Sequence, residues 1–326
     1  MTRQVPGDPD GVTLAAEVLG DLAAHEVPLG PMTTYRVGGA AALFVRPRSF
    51  GDLALVAEAC RRGDLPVLVV GRGSNLLVAD EGFRGVAVSL GDLGADIAID
   101  GTVVQAGGAV ALPVLARRTV ASALTGFEWA VGVPGSVGGG VRMNAGGHGS
   151  DMAASLIDVD LFDLYRGERR SLPAGALGLR FRGSDLADHQ VVLSARLQLS
   201  PGDRERGEVE LDEIVRWRRE HQPGGQNAGS VFVNPVPGEV TAGELIDRCG
   251  LRGHRLGSAH VSDKHANFIQ ADDGGSAADV RALMDEVRRL VAEHTGHLLR
   301  SEVRLVGFAD DEHERERGAL FAGVSW

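Results

Sequence analysis

Two glycine-rich segments contain the residues best suited to contact a phosphate group or a flat ring system. The longer one, VGVPGSVGGGVRMNAGGHG at residues 131–149, places Ser136, Asn144 and His148 among its glycines. Because glycine lacks a Cβ, it lets the main chain approach a ring or a pyrophosphate closely, at an entropic cost that an empty turn has no reason to carry repeatedly. A flexible linker would combine glycine with serine and few apolar residues, whereas this segment also holds valines and a methionine. The composition therefore predicts a folded binding loop.

The shorter segment, GRGSNLL at residues 71–77, follows a predicted strand and has the first two glycines of a G-x-G-x-x-G pattern. Leu76 occupies the third glycine position, and the chain continues as a strand or turn, so the dinucleotide fingerprint of a Rossmann fold is excluded. The turn can still direct backbone N–H groups at a pyrophosphate, with Ser74 and Asn75 as further donors. The alternative is a tight strand exit without a ligand. Two such loops in neighbouring lobes predict one extended dinucleotide between them, of a kind that composition does not identify.

The elements that position these loops divide into three units. A strand at residues 42–47, a helix capped by Ser49 with Asp52, and a strand at residues 66–71 predict a small αβ lobe with parallel pairing. From near Gly91 the pattern changes to consecutive strands, with a hairpin turn at Asp100 and Gly101. The predicted boundaries are an N-terminal extension (1–22), a first lobe (23–90), a second lobe (91–220), a third domain (221–308) and a charged tail (309–326).

The second lobe continues with a helix at residues 111–124 and strand patterns at 156–164 and 190–199, and a helical segment ends at a proline just after His221. In the third unit, Thr241 and Glu244 have capping-box spacing. A long helix there carries an apolar stripe that predicts core packing and not a cofactor site: Val280, Leu283, Met284, Val287, Leu290 and Val291.

Composition excludes several classes of partner and location. The chain of 326 residues is 44% hydrophobic with a formal net charge of −11, and it has no dense basic cluster, so we expect no nucleic-acid partner. Neither a signal peptide nor an apolar run of membrane-spanning length is present, which predicts a cytoplasmic protein without a membrane partner. Cys60 and Cys249 fall in helical patterns and are expected to be small buried hydrophobes; no metal ion is assigned.

Eight sequence blocks, in order, resemble the UDP-N-acetylenolpyruvoylglucosamine reductases (UDP-N-acetylmuramate dehydrogenases) of bacterial cell-wall synthesis. The resemblance covers roughly residues 30–307, and motif and context agree along this whole range. The blocks are TTYRVGG (33–39), GRGSNLLVADEGFRG (71–85), GVPGSVGGGVRMNAGGHG (132–149), FRGS (181–184), AGSVFVNP (228–235), AGELIDRCGLRG (242–253), SDKHANFI (262–269) and SEVRLVG (301–307).

The resemblance implies an α+β fold: a two-lobed FAD-binding module of the vanillyl-alcohol-oxidase (PCMH) type, followed by a smaller C-terminal α/β substrate domain. It also implies a monomer with non-covalently bound FAD that uses NADPH to reduce the enolpyruvyl ether of UDP-N-acetylglucosamine enolpyruvate. The FAD-binding residues implied are Tyr35, Arg36, Gly71, Arg72, Gly73, Ser74, Asn75, Val133, Pro134, Gly135, Ser136, Gly138, Gly139, Asn144, Gly146 and His148.

Such a reduction needs a hydride at one carbon, a proton at its neighbour, and stabilisation of the charge that builds on the substrate carboxylate. By resemblance, Ser230 is the proton donor, Arg182 pairs with the carboxylate, and Glu302 orients or polarises the intermediate. The resemblance further implies substrate contacts by Asn234, Lys264, His265 and Arg304.

Two positions depart from the family pattern. Phe181 replaces the usual tyrosine before the arginine, and Val233 replaces a common lysine; the SDKHANF block resembles the branch that lacks a tyrosine-bearing substrate loop. These differences leave open a paralogous FAD reductase that acts on another enolpyruvyl or unsaturated nucleotide. A non-catalytic nucleotide-binding protein is a further alternative, against which the joint retention of Ser230, Arg182 and Glu302 argues.

Overall fold

The computed structural model describes residues 9–236 and 238–308. The predicted charged tail and the first eight residues of the predicted N-terminal extension lie outside the described residues. Apolar side chains in the described ranges form four buried clusters: two in the first lobe, one in the second lobe and one in the third domain. The clusters extend across the predicted boundaries, since the third-domain cluster includes Tyr35 and Leu77 of the first lobe, and one first-lobe cluster includes Phe162 of the second lobe.

The first lobe is a four-stranded sheet with two helices on one face. The sheet order is β1-β2-β5-β3, with β5 parallel to both β2 and β3. The two strands of the strand–helix–strand pattern, β2 and β3, are therefore parallel as expected, but β5 lies between them. Its elements are α1 (Pro9–Leu19), β1 (Ala23–Pro28), β2 (Ala40–Val45), α2 (Phe50–Gly63), β3 (Val67–Val69), β4 (Leu76–Val78) and β5 (Phe83–Val88).

Helix α1 belongs to this lobe. Ala15 and Leu19 are buried in the same cluster as the inner face of α2, and a Cβ on Gly11 would lie 2.3 Å from the Gly63 carbonyl oxygen. The N-terminal extension expected over residues 1–22 is therefore, from residue 9 onward, part of the first lobe. The predicted start of α2 is confirmed, because the Ser49 hydroxyl accepts a hydrogen bond from the Asp52 N–H.

The second lobe is built on a five-stranded antiparallel sheet in the order β12-β11-β13-β7-β6. The hairpin predicted at Asp100 and Gly101 is confirmed, since Asp100 pairs with Val103. The elements are β6 (Ile97–Asp100), β7 (Val103–Gly107), α3 (Leu112–Ala121), β8 (Leu124–Thr125), α4 (Val137–Arg142), β9 (Gly146–Gly147), β10 (Ser150–Asp151), β11 (Leu156–Asp163), β12 (Glu168–Pro173), β13 (Gln190–Gln198), β14 (Ser200–Pro201) and α5 (Arg204–His221).

The third domain packs two helices against short strands. The Thr241–Glu244 capping box of α6 is present, and the stripe on α7 is core, with Leu290 only partly buried. The domain contains β15 (Phe232–Val233), α6 (Ala242–Arg248), β16 (Arg255–Leu256), β17 (Ala259–Val261), β18 (Ile269–Ala271), α7 (Ala277–Thr295), β19 (Arg300–Ser301) and β20 (Arg304–Val306).

The end of the third domain returns to the first lobe. Strand β20 pairs in parallel with β4, directly after the shorter glycine segment. The Asp80 carboxylate, also in the first lobe, accepts hydrogen bonds of 2.9 Å from the N–H groups of Ala277 and Ala278 at the start of α7. The β20–β4 pairing places the chain around residue 302 beside the first lobe, and this arrangement creates the site described below. Among the described residues, none of the helices has the length and apolar character needed to cross a bilayer.

Candidate active site

The two glycine segments lie directly against each other. The Arg72 Nε donates to the Pro134 carbonyl oxygen at 3.2 Å. A Cβ built on Gly71 would lie 2.5 Å from the Ser136 hydroxyl oxygen, and one on Gly135 would lie 3.5 Å from the Ser74 hydroxyl oxygen. The segments therefore form one continuous wall at the junction of the first and second lobes.

Beside this wall is a cavity of about 290 Å³ between the two lobes. Its lining includes three arginines and one aspartate, Asp188. Of the residues assigned from the sequence, six line it: Gly71, Arg72, Ser136, Gly138, Gly139 and Arg304. Sequence reasoning missed Arg142, Asp188 and Gln190; only Arg142 lay within a quoted block.

The glycines of the longer segment serve two different purposes. Gly138 and Gly139 line the cavity. Gly140 and Gly146 face the chain itself instead: a Cβ would lie 2.9 Å from the Met152 methyl carbon in the first case and 2.6 Å from the Asp151 Cβ in the second. The interpretation that all these glycines admit a ligand is therefore corrected, because internal packing accounts for Gly140 and Gly146.

Two residues of the TTYRVGG block do not line the cavity. Tyr35 is completely buried in the cluster of the third domain, and its hydroxyl has no hydrogen-bond partner among the described residues. Burial raises the pKa of this hydroxyl far above its ordinary value. Arg36 is exposed and has a positive φ of 56°. Their contacts with FAD stay predictions, which the position of neither side chain supports.

Asn144 holds the longer glycine segment in shape. Its amide nitrogen donates to the Asp151 carboxylate at 3.0 Å and to the Arg180 carbonyl at 3.2 Å, and its amide oxygen accepts from the Ala153 N–H at 2.9 Å. Both amide hydrogens are thus used inside the protein, at a residue that is buried and has a φ of 40°. This structural role was not foreseen from the sequence.

His148 lies outside the cavity lining, against α5. Its ring meets the Trp217 ring edge-on at a centroid distance of 5.1 Å. Burial and the nearby charge of Arg218 lower its pKa. An assignment of His148 to the cofactor stays a prediction.

Arg182 and Glu302, predicted to act together, form an ion pair with 3.0 Å between Nε and Oε1. The Arg182 Nη2 also donates to the Gly146 carbonyl oxygen at 2.9 Å, and the guanidinium carbon lies 4.8 Å from the centre of the Phe181 ring. Burial raises the pKa of Glu302, although Arg182 opposes this shift. The pair joins the second lobe to the end of the third domain.

Ser230 reaches the same region through the backbone. The Glu302 N–H donates to the Val231 carbonyl oxygen at 2.7 Å, and β15 pairs with β19. The Asn75 amide donates to the Glu302 carbonyl oxygen at 3.0 Å, so this segment is also tied to the shorter glycine segment. Ser230 is half-buried, and its hydroxyl makes no hydrogen bond within the described ranges. The structure thus brings the segments that carry all three predicted catalytic residues together.

The four predicted substrate residues are spread over a wider region than the three predicted catalytic residues. Asn234 accepts from the Ala242 N–H at 3.1 Å at the start of α6, and the His265 Nδ1 accepts from the Asn267 N–H at 3.2 Å. The Lys264 amine donates to the Arg219 carbonyl at the end of α5, while Arg304 lines the cavity. Substrate contacts of these residues stay predictions.

Family models and individual relatives of known name point to the same protein family. The model of the UDP-N-acetylenolpyruvoylglucosamine reductase C-terminal domain matches residues 221–306, and that of the FAD binding domain matches residues 41–172. A relative from Heliobacterium modesticaldum, named UDP-N-acetylenolpyruvoylglucosamine reductase, is 42% identical over 89% of this chain and 96% of its own. The chain belongs to the UDP-N-acetylenolpyruvoylglucosamine reductase family.

Other members agree with this assignment. The family member from Gloeobacter violaceus is 43% identical over 86% of this chain and 95% of its own. The crystal structure of the UDP-N-acetylenolpyruvylglucosamine reductase from Thermus caldophilus has a TM-score of 0.75 at 32% identity, covering 87% of this chain and 98% of that one. The predicted FAD-binding module followed by a smaller C-terminal domain is confirmed. The alternative of a paralogue with another substrate is not favoured.

The cavity suits FAD, the cofactor that the matched FAD binding domain indicates. Its wall is rich in glycine backbone, which permits close approach to a dinucleotide. Three arginines against one aspartate leave an excess of positive charge, which complements a diphosphate. Gly71, Ser136, Gly138 and Gly139 would supply the backbone surface and Arg72, Arg142 and Arg304 the charge.

Proposed function

We propose that this protein reduces the enolpyruvyl ether of UDP-N-acetylglucosamine enolpyruvate to UDP-N-acetylmuramate, with non-covalent FAD as cofactor and NADPH as hydride donor. The observation that supports this reaction most directly is the Arg182–Glu302 ion pair, formed beside the Ser230 segment and close to a glycine-lined cavity. When bound, FAD supplies hydride transfer from NADPH to the substrate double bond. The product is a precursor of peptidoglycan.

Arg182 binds the substrate carboxylate and stabilises the charge that develops on it. Its Nε is engaged by Glu302 and its Nη2 by the Gly146 carbonyl, which leaves the Nη1 donors for a ligand. The aromatic face of Phe181 lies against the guanidinium, so this residue retains the packing role of an aromatic side chain without a hydroxyl. A guanidinium held on three sides is oriented before substrate arrives, which lowers the entropy lost in the reaction.

Glu302 holds Arg182 in place, and its carboxyl group orients the substrate carboxylate through a shared hydrogen bond. Its carboxyl group is largely buried, and burial raises its pKa above the ordinary range for glutamate. A carboxyl group with a raised pKa is a common feature of sites that transfer or share protons.

Ser230 protonates the substrate carbon next to the one that accepts the hydride. Its hydroxyl makes no hydrogen bond with the described residues, and the Val231–Glu302 backbone hydrogen bond ties its segment to the segment of the ion pair. A serine hydroxyl is a weak acid, but a carbon that carries the charge of a reduced enol carboxylate is a strong base, and a positioned donor then suffices.

The protein acts in the cytoplasm as a monomer, on a UDP-sugar and without a nucleic-acid partner. The net charge of −11 and the absence of a dense basic cluster in the sequence support the last point. Size-exclusion chromatography with light scattering measures the oligomeric state.

Purified protein should be yellow and should oxidise NADPH only when the enolpyruvyl UDP-sugar is added. UDP-N-acetylglucosamine, which lacks the enolpyruvyl group, is the matched control and should give no stimulation. Comparing NADPH with NADH at equal concentration tests the donor. Protein that retains FAD but shows no oxidation with the authentic substrate would contradict the proposed reaction.

A further inference from the structure

Three charged side chains form a cluster in the cavity wall that the proposed reaction does not use. Arg304 Nη2 lies 2.7 Å from Asp188 Oδ1, and Arg142 Nη2 contacts the same oxygen. Arg142 Nη1 also donates to the Ala187 carbonyl at 2.8 Å. One carboxylate oxygen thus serves two guanidinium groups.

The cluster carries one positive charge in excess. Burial and the like charge of Arg304 lower the pKa of Arg142 to about 10, so this guanidinium remains charged at neutral pH. Burial alone would raise the pKa of Asp188, but the two arginines lower it, so the carboxylate is ionised as well. Each guanidinium keeps only about a quarter of its side-chain surface exposed. An anion that pairs with the excess charge would stabilise it, and this arrangement is therefore suited to an anionic ligand.

Each arginine is attached to one of the two glycine segments. Arg142 is the last residue of α4, inside the longer segment. The Arg304 N–H donates to the Asn75 carbonyl oxygen at 3.0 Å, which fixes this residue to the shorter segment. Asp188 therefore links the two glycine segments, through Arg142 in the longer segment and through Arg304 beside the shorter one.

A diphosphate fits this arrangement because guanidinium groups make paired, charge-assisted hydrogen bonds to phosphate oxygens. Both FAD and the UDP-sugar of the proposed function contain a diphosphate. The cavity lining favours FAD, since the same wall includes Gly71 from one segment and Gly138 and Gly139 from the other. We propose that Arg142 and Arg304 bind the diphosphate of FAD and that Asp188 is a positioning residue that holds both guanidinium groups at the cavity wall.

The proposal is tested by FAD release from the holoenzyme after dilution, followed by flavin fluorescence. In Arg142→Met and Arg304→Met, loss of a charge-assisted contact should weaken FAD binding by about tenfold to a hundredfold. Added salt should weaken FAD binding less in these variants than in the wild type. Arg196→Met is the matched control, since Arg196 pairs with Asp158 on the sheet away from the cavity, and its FAD affinity should equal that of the wild type.

Titration of each holoenzyme with UDP shows whether the arginines bind the diphosphate of FAD or that of the UDP-sugar. UDP affinity should be unchanged in both variants. If UDP binding weakens while FAD binding stays within twofold of wild type, the arginines serve the substrate and the proposal is wrong. Unchanged affinity for both ligands would make the cluster purely structural and would also overturn it. Either result leaves the proposed reaction untouched, because that reaction is judged by substrate-dependent NADPH oxidation at saturating FAD.

Asp188→Ala tests the positioning role. This change leaves the two arginines without the shared carboxylate that holds them at the cavity wall, so they bind the diphosphate less well. Addition of FAD should therefore raise the melting temperature of Asp188→Ala by less than it raises that of the wild type, and Asp188→Glu should restore most of the wild-type increment. An equal increment in all three proteins would contradict the positioning role.

Discussion

Arg182, in the second lobe, and Glu302, near the end of the third domain, form an ion pair with 3.0 Å between Nε and Oε1. The contact exists because β20 returns to β4 in the first lobe and carries Glu302 with it. Glu302 is largely buried, and the charges of Arg182 and Arg300 oppose but do not cancel the effect of burial, which raises its pKa. The pair therefore makes stability depend on pH in a definite direction.

Glu302→Gln should remove part of the pH dependence of stability. The folded-state pKa of Glu302 is raised above its ordinary value of 4.5, so the stability it contributes is fully present below that value and is lost as pH rises through the folded-state pKa. Relative to Glu302→Gln, the free energy of unfolding of the FAD-saturated wild type should fall as pH rises from 4 toward 8. Chemical denaturation at each pH measures it. In Arg182→Met the fall should extend to higher pH, and a pH-independent difference would contradict the cause assigned here.

Ser230→Ala should separate the two half-reactions. Reduction of bound flavin by NADPH does not need the hydroxyl and should stay within about twofold of wild type, whereas reoxidation by substrate should slow by about 10²- to 10⁴-fold. Stopped-flow absorbance of the flavin measures both rates. Ser171→Ala, at an exposed position of β12, is the control and should alter neither. Equal slowing of both half-reactions would mean that Ser230 is not the proton donor.

Local signals were sufficient for most of the helices. The cap of α2 at Ser49, the capping box of α6 at Thr241 and the stripe of α7 each lie within a few residues of sequence, and each is confirmed. Helix α4 was missed because three of its six residues are glycine, the poorest helix former after proline. It forms through tertiary contacts: Ser136 caps it, and the Gly138 N–H donates to the Gly108 carbonyl at 2.9 Å.

The site residues also divide into those that sequence motifs identify and those that depend on tertiary contacts. Motif resemblance pointed to Arg182, Glu302 and the cavity glycines, which the fold does bring to one region. The motif gave no sign that the Asn144 side-chain amide would donate hydrogen bonds to Asp151 and to the Arg180 carbonyl. The Arg142–Asp188 contact joins positions 46 residues apart, and no spacing rule along the chain predicts such a pair. All of these missed contacts lie within the second lobe, so what sequence patterns miss here is how side chains pair once the lobe has folded.

Gly71→Ala should destabilise the protein through one identifiable contact. The added methyl group would lie 2.5 Å from the Ser136 hydroxyl oxygen, but 3.6 Å from the Ser136 Cβ. The single change should cost about 1–3 kcal/mol by overpacking, and Ser136→Ala should cost about 1 kcal/mol through loss of the α4 cap. Because the clash needs the hydroxyl, the double variant should cost less than the sum.

A double-mutant cycle in denaturant, with FAD at saturation, measures this coupling. Gly147→Ala is the control within the same glycine segment, since a Cβ there has no neighbour within 4 Å, and it should change stability little. Strict additivity of Gly71→Ala and Ser136→Ala would show that the two glycine segments do not touch as described.

Tyr35→Phe distinguishes a structural tyrosine from a cofactor ligand. The hydroxyl is fully buried without a partner among the described residues, and removing such a group while keeping the ring relieves a desolvation cost of about 1–3 kcal/mol. The variant should therefore be at least as stable as the wild type, with an unchanged affinity for FAD, as measured by denaturation and by flavin release on dilution. Tyr35→Ala, which also removes the ring, should be strongly destabilised by the cavity it leaves. Weaker FAD binding by Tyr35→Phe, at unchanged stability, would instead identify the hydroxyl as a cofactor contact and restore the role that the sequence motif suggested.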